Sequence, residues 1–469
     1  MENIKQIKAK LEKSGDIIIK KMTIDQKKIE LIYSDVLTSS TFINDFILRR
    51  LILLKKDDLD DLENNIPGHN MKVINTDEIY QHISNGFALI FINKIIYAIE
   101  ARASLDRNVS SAGNELVLQG PQDSFTENIN VNLGLIRKRV KSIELTNKSM
   151  FIGKSTSSKV SLLYMNNIVD SNLVREIEKR LNTIDIDGIM DSSYLRENLE
   201  HNSNSLFPTV MATERPDKVS MALLEGKCAV VVEGSPFVLI LPNFFIDFFH
   251  TVDDYYQKPF NITLIRILRL FAFVIAIFLP AFFVSALTHN HNILPLELLL
   301  NLQAERHNAP LPIFVEVLIM STAFEILRES DIRMSAAVGS SVAILGGLIL
   351  GEAAIFAGIM TPTTIVVVAI SAVSGLIFSS IELTSAIRIL RVIFLIVALF
   401  LGIYGIFLAF IFLLTSLVST NNFDIPYLAP FSPFIKKEQS DALLKTNNEK
   451  MKFRNPLLSK KNKKKGKYI

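Results

Sequence analysis

The stretch PLPIFVEVLIMSTAFEILRES, Pro310 to Ser330, decides what kind of protein this is. It is apolar enough to enter a membrane, yet it carries Glu316, Glu325, Arg328 and Glu329. Three readings are open: a soluble helix, a membrane span interrupted by charge, or part of a polar path. On a straight helix Glu316 and Glu325 fall about 180° apart, so they do not share one path. Glu325 and Arg328 are close to one turn apart and can pair. Glu316 has no partner nearby in the chain. A lone carboxylate inside a span costs about 3 kcal/mol or more, so it must face protein, water or an ion path, or carry a proton.

Outward from this stretch the composition changes sharply. Between Asn261 and Thr420 there is no lysine, whereas both flanks are lysine-rich. The pattern predicts a soluble part, a polytopic membrane part and a tail. Apolar runs of about 20 residues or more, the length a span needs, occur at Ile267–Thr288, Ala336–Met360, Thr363–Ile381 and Ile389–Val418. Pro280 is a kink point in the first. The second is rich in small residues that let helices approach closely, and they surround Glu352. Glu352 is expected either to bond a neighbouring helix or to face a polar path. The fourth run is long for one span and short for two. Arg266, Arg269, Arg328, Arg333, Arg388 and Arg391 all fall on one side if the opening stretch crosses. A helical hairpin at Gly402 to Gly405 then returns the basic tail SKKNKKKGKYI to that side, and this arrangement is preferred. The tail is expected to be solvated and disordered, with contact to anionic membrane lipid as the alternative.

The soluble part reads as a repeat. KKIELIYSD (Lys27–Asp35) alternates like a strand, FINDFILRRL (Phe42–Leu51) has helical spacing, and GFALIFINKIIYAIEAR (Gly86–Arg102) is a hairpin turning at Asn93 and Lys94. The same order returns in KVSLLYMNN (Lys159–Asn167), LVREIEKRL (Leu173–Leu181) and EGKCAVVVEGSPFVLILP (Glu225–Pro242). The expected fold class is α/β plus membrane α: two similar cytosolic α/β subdomains followed by a polytopic transmembrane helical domain. The expected boundaries are 1–120 and 159–258 for the subdomains, 121–158 for a helical linker, 259–420 for about four to six membrane segments, and 421–469 for the tail. In the linker, Ser124 to Glu127 reads as a capping box. Ile129, Leu133, Ile136 and Val140 mark an apolar face, and Arg137, Lys138 and Arg139 form a solvated basic end.

Other features exclude functions. A net charge of +3 and a basic helix end without interleaved aromatics give no nucleic-acid footprint. GKST (Gly153–Thr156) lacks the upstream glycine of a phosphate loop, because Lys148 stands there. The lone Cys228 excludes an internal disulfide and reads as a buried strand thiol. No nucleophile–base pair, metal ligand set or cofactor motif is present, so an enzyme is not expected. A transporter lacks paired inverted repeats. Met1 to Lys28 has no apolar core of a signal peptide, so the N-terminal part is expected to stay cytosolic. In TERPDKV (Thr213–Val219), Pro216 opens a helix that stops at Gly226, and Glu214 with Arg215 is a candidate docking point.

Several long motifs, in order, resemble the A subunit of the GerA-type spore germinant receptors. They include GPQDSFTENINVNLGLIRKRVKS (Gly120–Ser142), TERPDKVSMALLEG (Thr213–Gly226), VDDYYQKPF (Val252–Phe260), FEILRESDIRM (Phe324–Met334), GLILGEAAIFAG (Gly347–Gly358) and IPYLAPFSP (Ile425–Pro433). The resemblance implies a protein of the spore inner membrane whose N-terminal domain faces the spore core. It implies a multi-span B subunit that holds the nutrient, a lipoprotein C subunit, and a homo-oligomer forming a ligand-gated cation channel. The family motif is carried here by Glu316, Glu325, Leu327, Arg328, Glu329 and Arg333. Glu352 departs from the glutamine common in the family, and THNHN (Thr288–Asn292) departs from a more acidic loop, so His289 and His291 carry no assignment. Glu316 or Glu352 is the candidate for a carboxylate ring favouring cations, with Glu325 and Arg328 as assembly candidates. The alternative is an accessory paralogue of the spore A-operon type, which amplifies germination without its own nutrient-binding partner. FFHTVDDYYQKPF (Phe248–Phe260) favours the receptor subunit.

Overall fold

A computed structural model describes residues 4–466 apart from 25–26, 55–61, 63–65, 67–70, 93–94, 105–112, 114, 118, 201–204, 308, 334–346, 348–350, 437, 447–452 and 461. The expected turn at Asn93 and Lys94 and most of the expected Ala336–Met360 span therefore lie outside the described residues.

The repeat is real at the level of topology. The first sheet contains β1 (Ile17–Ile24), β2 (Lys27–Ser34), β3 (Lys72–Val73), β4 (Phe87–Ile92) and β5 (Ile95–Glu100). The second contains β6 (Leu145–Ile152), β7 (Ser158–Met165), β8 (Met211–Thr213), β9 (Cys228–Val232) and β10 (Val238–Leu241). Their strand orders are β1-β2-β4-β5-β3 and β6-β7-β9-β10-β8, so each unit repeats one connection pattern. Every pairing within them is antiparallel. Period-two alternation places helices on both faces of the first sheet. Leu31 and Ile90 pack against Ile43, Ile47 and Leu51, while Ile32 and Leu89 pack against Ile7, Ile79 and Ile83.

The expected linker is divided differently. The strand Leu145–Ile152 pairs along its length with β7, so it belongs to the second sheet. GKST lies at the turn of this hairpin, where Gly153 takes φ 100°. The linker helix runs Ile129–Arg139, and its cap is Asn128, whose Oδ1 accepts from the amides of Asn130 at 2.9 Å and Val131 at 3.3 Å. Ser124 is buried instead of capping. Ile129, Leu133, Ile136 and Val140 form the buried face, as their spacing requires. Arg137, expected in solvent, is also buried. It forks onto Asp16 with bonds of 2.7 and 2.8 Å and reaches Ser14 Oγ at 2.7 Å, joining the two sheet units. Burial would raise the Asp16 carboxyl, but Arg137 and the hydrogen bonds bring it below its ordinary value.

The helix Pro216–Glu225 begins at Pro216 and ends at Gly226, φ 99°, as expected. Cys228 is fully buried in β9, which pushes its thiol pKa up.

Among the described residues two helices are long and apolar enough to cross a membrane: Pro259–Thr288 with 30 residues and Ile381–Ser419 with 39. The second is folded back on itself. Gly402 adopts φ 58° and ψ −146°, a region open essentially to glycine alone. Beyond it, a Cβ on Gly405 would lie 2.8 Å from Val397 Cγ1, so the two arms touch. Phe278 packs on both Phe394 and Phe410, placed equally before and after the turn. Both ends of the hairpin reach the second sheet unit. Glu382 pairs with Arg196, and Asn422 accepts from Arg180 at 3.0 Å. The expected Thr363–Ile381 span is shorter than foreseen: its helix is Pro362–Gly375, and Ser380 caps the next one.

Candidate functional site

The opening stretch forms the helix Ile313–Arg333, which packs against Pro362–Gly375. Glu316 is fully buried. Its Oε2 accepts from the Thr361 amide at 3.3 Å, Thr361 Oγ1 at 3.1 Å and Thr364 Oγ1 at 2.9 Å. The missing partner is thus the start of another helix, where amides lack intrahelical acceptors and an anion is favoured. Glu316 Oε1 makes no hydrogen bond.

Glu325 lies elsewhere, as the helical angle requires. It pairs with Arg328 at 3.0 Å, and Arg388 at 3.6 Å and Arg391 at 3.8 Å from the hairpin also surround it. The local pair foreseen from spacing is one part of a larger cluster. Arg391 reaches further inward. Its Nε donates to the carbonyl of Ala276 at 2.9 Å and its Nη2 to the carbonyl of Ser371 at 3.3 Å. Ser371 Oγ donates to the same Ala276 carbonyl at 2.9 Å. That carbonyl is available because Pro280, one turn later, has no N–H to give it.

Glu352 is exposed, and among the described residues no hydrogen bond or ion pair joins it to Glu316 or Glu325. Glu214 and Arg215 face inward, 7% and 1% exposed. They hold the chain's own connector: Glu214 accepts from the Glu115 amide at 2.7 Å, and Arg215 donates to the carbonyls of Glu115 at 3.2 Å and Pro121 at 2.8 Å. Arg215 also pairs with Asp217 at 2.7 Å.

A second polar centre, missed in the sequence, joins the first apolar helix to the tail. Arg266 and Asp254 are both fully buried and bond at 2.9 Å. Arg266 Nη1 also donates to the carbonyls of Asp441 at 2.7 Å and Ala442 at 3.1 Å. Arg269 donates to both Asp254 oxygens at 3.0 Å. Burial would raise the Asp254 carboxyl, but Arg269 and Arg266 hold it below its ordinary value. Burial, with Arg266 nearby, lowers the pKa of His250, which meets the Ala442 carbonyl at 2.7 Å. Burial lowers Lys445 to about 8, and burial with Glu225 and Asp247 raises Glu438 to about 7.

The tail is accordingly docked, against the expectation of a solvated segment. Phe423, Ile425, Tyr427 and Leu458 enter the core of the second sheet unit. Lys460 pairs with Asp170, Lys465 pairs with Glu225, and Arg454 donates to the Leu224 carbonyl at 2.9 Å. Its scattered apolar residues find a surface, and Arg454, Lys460 and Lys465 find acceptors there. Among the described residues no group of three or more His, Cys, Asp or Glu could hold a metal.

The fold and these centres define a class: a duplicated antiparallel sheet domain continuous with an apolar helical unit pinned by buried Glu and Arg. Comparison narrows the class. Residues 5–457 match the family described as Bacillus/Clostridium GerA spore germination protein, and the chain belongs to the GerA family. It is 34% identical to spore germination protein KA of Bacillus subtilis over 457 residues, covering 95% of this chain and 84% of that one. It is 32% identical to spore germination protein GerQA of Bacillus cereus, covering 98% and 93% respectively. A crystal structure of the N-terminal domain of the A subunit of the Bacillus megaterium spore germinant receptor GerK3 is 30% identical, with a TM-score of 0.41, covering 52% of this chain and 94% of that one.

Proposed function

We propose that this chain is the A subunit of a nutrient-responsive germinant receptor in the spore inner membrane. In this reading it oligomerises into a cation channel that opens when a nutrient binds a partner B subunit, with a lipoprotein C subunit completing the complex. The observation that carries the reading is the match to spore germination proteins along nearly the whole chain, helical unit included. The Pro259–Thr288 helix and the two arms of the Gly402 hairpin are close to the length that crosses a ~30 Å hydrocarbon core. The sheet domain and the docked tail then share the side facing the spore core.

Within this reading Glu316 is a strut between helices, since its carboxylate is enclosed by Thr361 and Thr364. Glu352, exposed on the single chain, is the acid available to line a ring between copies. The test is cation release from spores lacking this chain, triggered by single nutrients and by mixtures. Loss of response to one nutrient set, with other triggers intact, is the expected result. Slower release to every trigger would instead assign the accessory role.

A further inference from the structure

We infer that the cavity beside Arg328, Arg388 and Arg391 binds the phosphate of an anionic phospholipid. The inference rests on the membrane reading above and extends it to a ligand within this chain.

The cavity has a volume of about 260 Å³ and lies between the Ile313–Arg333 helix, the Pro362–Gly375 helix and the first arm of the hairpin. Three guanidiniums line it, against the carboxylates of Glu325 and Asp331. Asp331 is exposed at the rim, so solvent weakens its field. Glu325 is the partly buried carboxylate beside all three arginines, at 3.0, 3.6 and 3.8 Å, while Arg391 also donates to the Ala276 and Ser371 carbonyls and Arg388 to Ser385 Oγ at 2.8 Å. One carboxylate cannot supply bidentate geometry to three guanidiniums. The ion pairs are poorly aligned for hydrogen bonds: among the described residues the buried Nε atoms of Arg328 and Arg388, and Glu325 Oε2 as well, have no hydrogen-bond partner. Buried donors left unpaired are costly, and an added oxyanion would satisfy them.

The remaining walls indicate an amphiphile over a free ion. Phe324, Leu327, Leu376 and Ile387 line the cavity. Outside it, Ile326, Val373 and Ile381 are each more than 60% exposed, which suits acyl chains. The cavity is too small for a whole lipid and suits a headgroup whose chains lie along the helices. The contact of Glu382 with Arg196 places this end of the hairpin at the sheet domain, where a headgroup layer would lie.

The experiment uses the full chain purified in an uncharged detergent, with retained lipid read by native mass spectrometry. The probes are phosphatidylglycerol, phosphatidylcholine and inorganic phosphate. The expected result is retention of phosphatidylglycerol over phosphatidylcholine, cut about tenfold by Arg388→Gln and by Arg328→Gln. Glu325→Gln removes the competing internal carboxylate, so it should raise retention. A cluster serving only the fold would lose stability in this variant without gaining lipid. Equal retention of the two lipids by the unaltered chain would overturn the inference, as would a Glu325→Gln chain that stays folded and binds no more tightly. Displacement of phosphatidylglycerol by millimolar phosphate would overturn the lipid source and assign a soluble phosphate. Recovery of the chain from detergent-free lysate supernatant would instead sink the membrane reading itself.

Discussion

Arg391 donates through Nε to the carbonyl of Ala276 at 2.9 Å, on a helix far from it in sequence. The bond exists because Pro280 leaves that carbonyl without its helical donor. A local helix defect has become the anchor for three helices, since Ser371 meets the same oxygen. Arg391→Met should cost about 2 kcal/mol, from the lost charge-assisted bonds to the Ala276 and Ser371 carbonyls. Adding Pro280→Ala restores a donor to Ala276, so the two changes should be non-additive in a double-mutant cycle read by detergent thermal melts. Strict additivity would mean that the Pro280 defect and Arg391 are independent.

Under the proposed channel reading, Glu316 separates fold from conduction. Glu316→Gln retains a carbonyl acceptor for Thr361 and Thr364, so it should change stability by less than about 1 kcal/mol. Glu316→Ala leaves the donors of Thr361 and Thr364 unpaired and should cost about 1–3 kcal/mol. Ion flux in reconstituted vesicles should survive Glu316→Gln and fall with Glu352→Gln. The reverse order would return Glu316 to the conducting path.

The hairpin turn depends on two glycines for different reasons. At Gly402 a side chain meets both the backbone angle and Asn290 Oδ1, 2.7 Å from the Cβ position. At Gly405 it meets Leu401 and Val397 of the opposing arm. Gly402→Ala should cost about 1–3 kcal/mol from strain alone, and Gly405→Ala should splay the arms. Spin labels on opposite arms measure this directly: distances that stay unchanged in Gly405→Ala would show that the contact does not hold the arms.

Acid should loosen the chain at its buried aspartates. Asp16 and Asp254 have folded pKa values below their unfolded ones. Their contribution is therefore present above about pH 4, the unfolded value, and lost as pH falls through the folded values. His250, with its pKa lowered by burial, adds a loss that begins as pH falls below its ordinary value of 6.5. Asp16→Asn leaves Arg137 buried without its counter-charge and should cost about 3–5 kcal/mol at neutral pH. Its melting temperature should also vary less with pH below 4 than that of the unaltered chain.

The tail latch predicts protease behaviour. Arg266→Gln should release the segment from Asn421 onward, giving early cleavage beyond Ser419, while the sheet domain persists. Cleavage at the same rate as in the unaltered chain would show that the core contacts of Tyr427 and Leu458 suffice alone.

Much of this was legible in the chain itself. The lysine-free interval marked the helical unit, alternation marked β2, paired apolar runs marked the two later hairpins, and Pro216 with Gly226 bounded a helix. Gly402 and Gly405 marked a turn inside an otherwise continuous apolar run. These signals are local, because backbone angles and side-chain periodicity are properties of neighbouring residues. The cap was misplaced because Ser124 with Glu127 matches the capping box whereas Asn128, followed three residues on by Val131, does not, and only the fold buries Ser124. Arg137 resembled a solvated helix end because nothing nearby shows that Asp16 will sit opposite it.

By itself, then, the sequence determined the division into sheet and helical parts, the repeat and the family, since each is written in short-range pattern. Only the tertiary structure decided which charges matter to one another. Glu316 finds Thr361, Arg391 finds Ala276, Arg266 finds Asp441, and the tail finds the second sheet. Each pairing joins residues far apart in the chain. Burial makes such pairs obligatory, because an unpaired charge in a low-dielectric interior costs more than the contact gains.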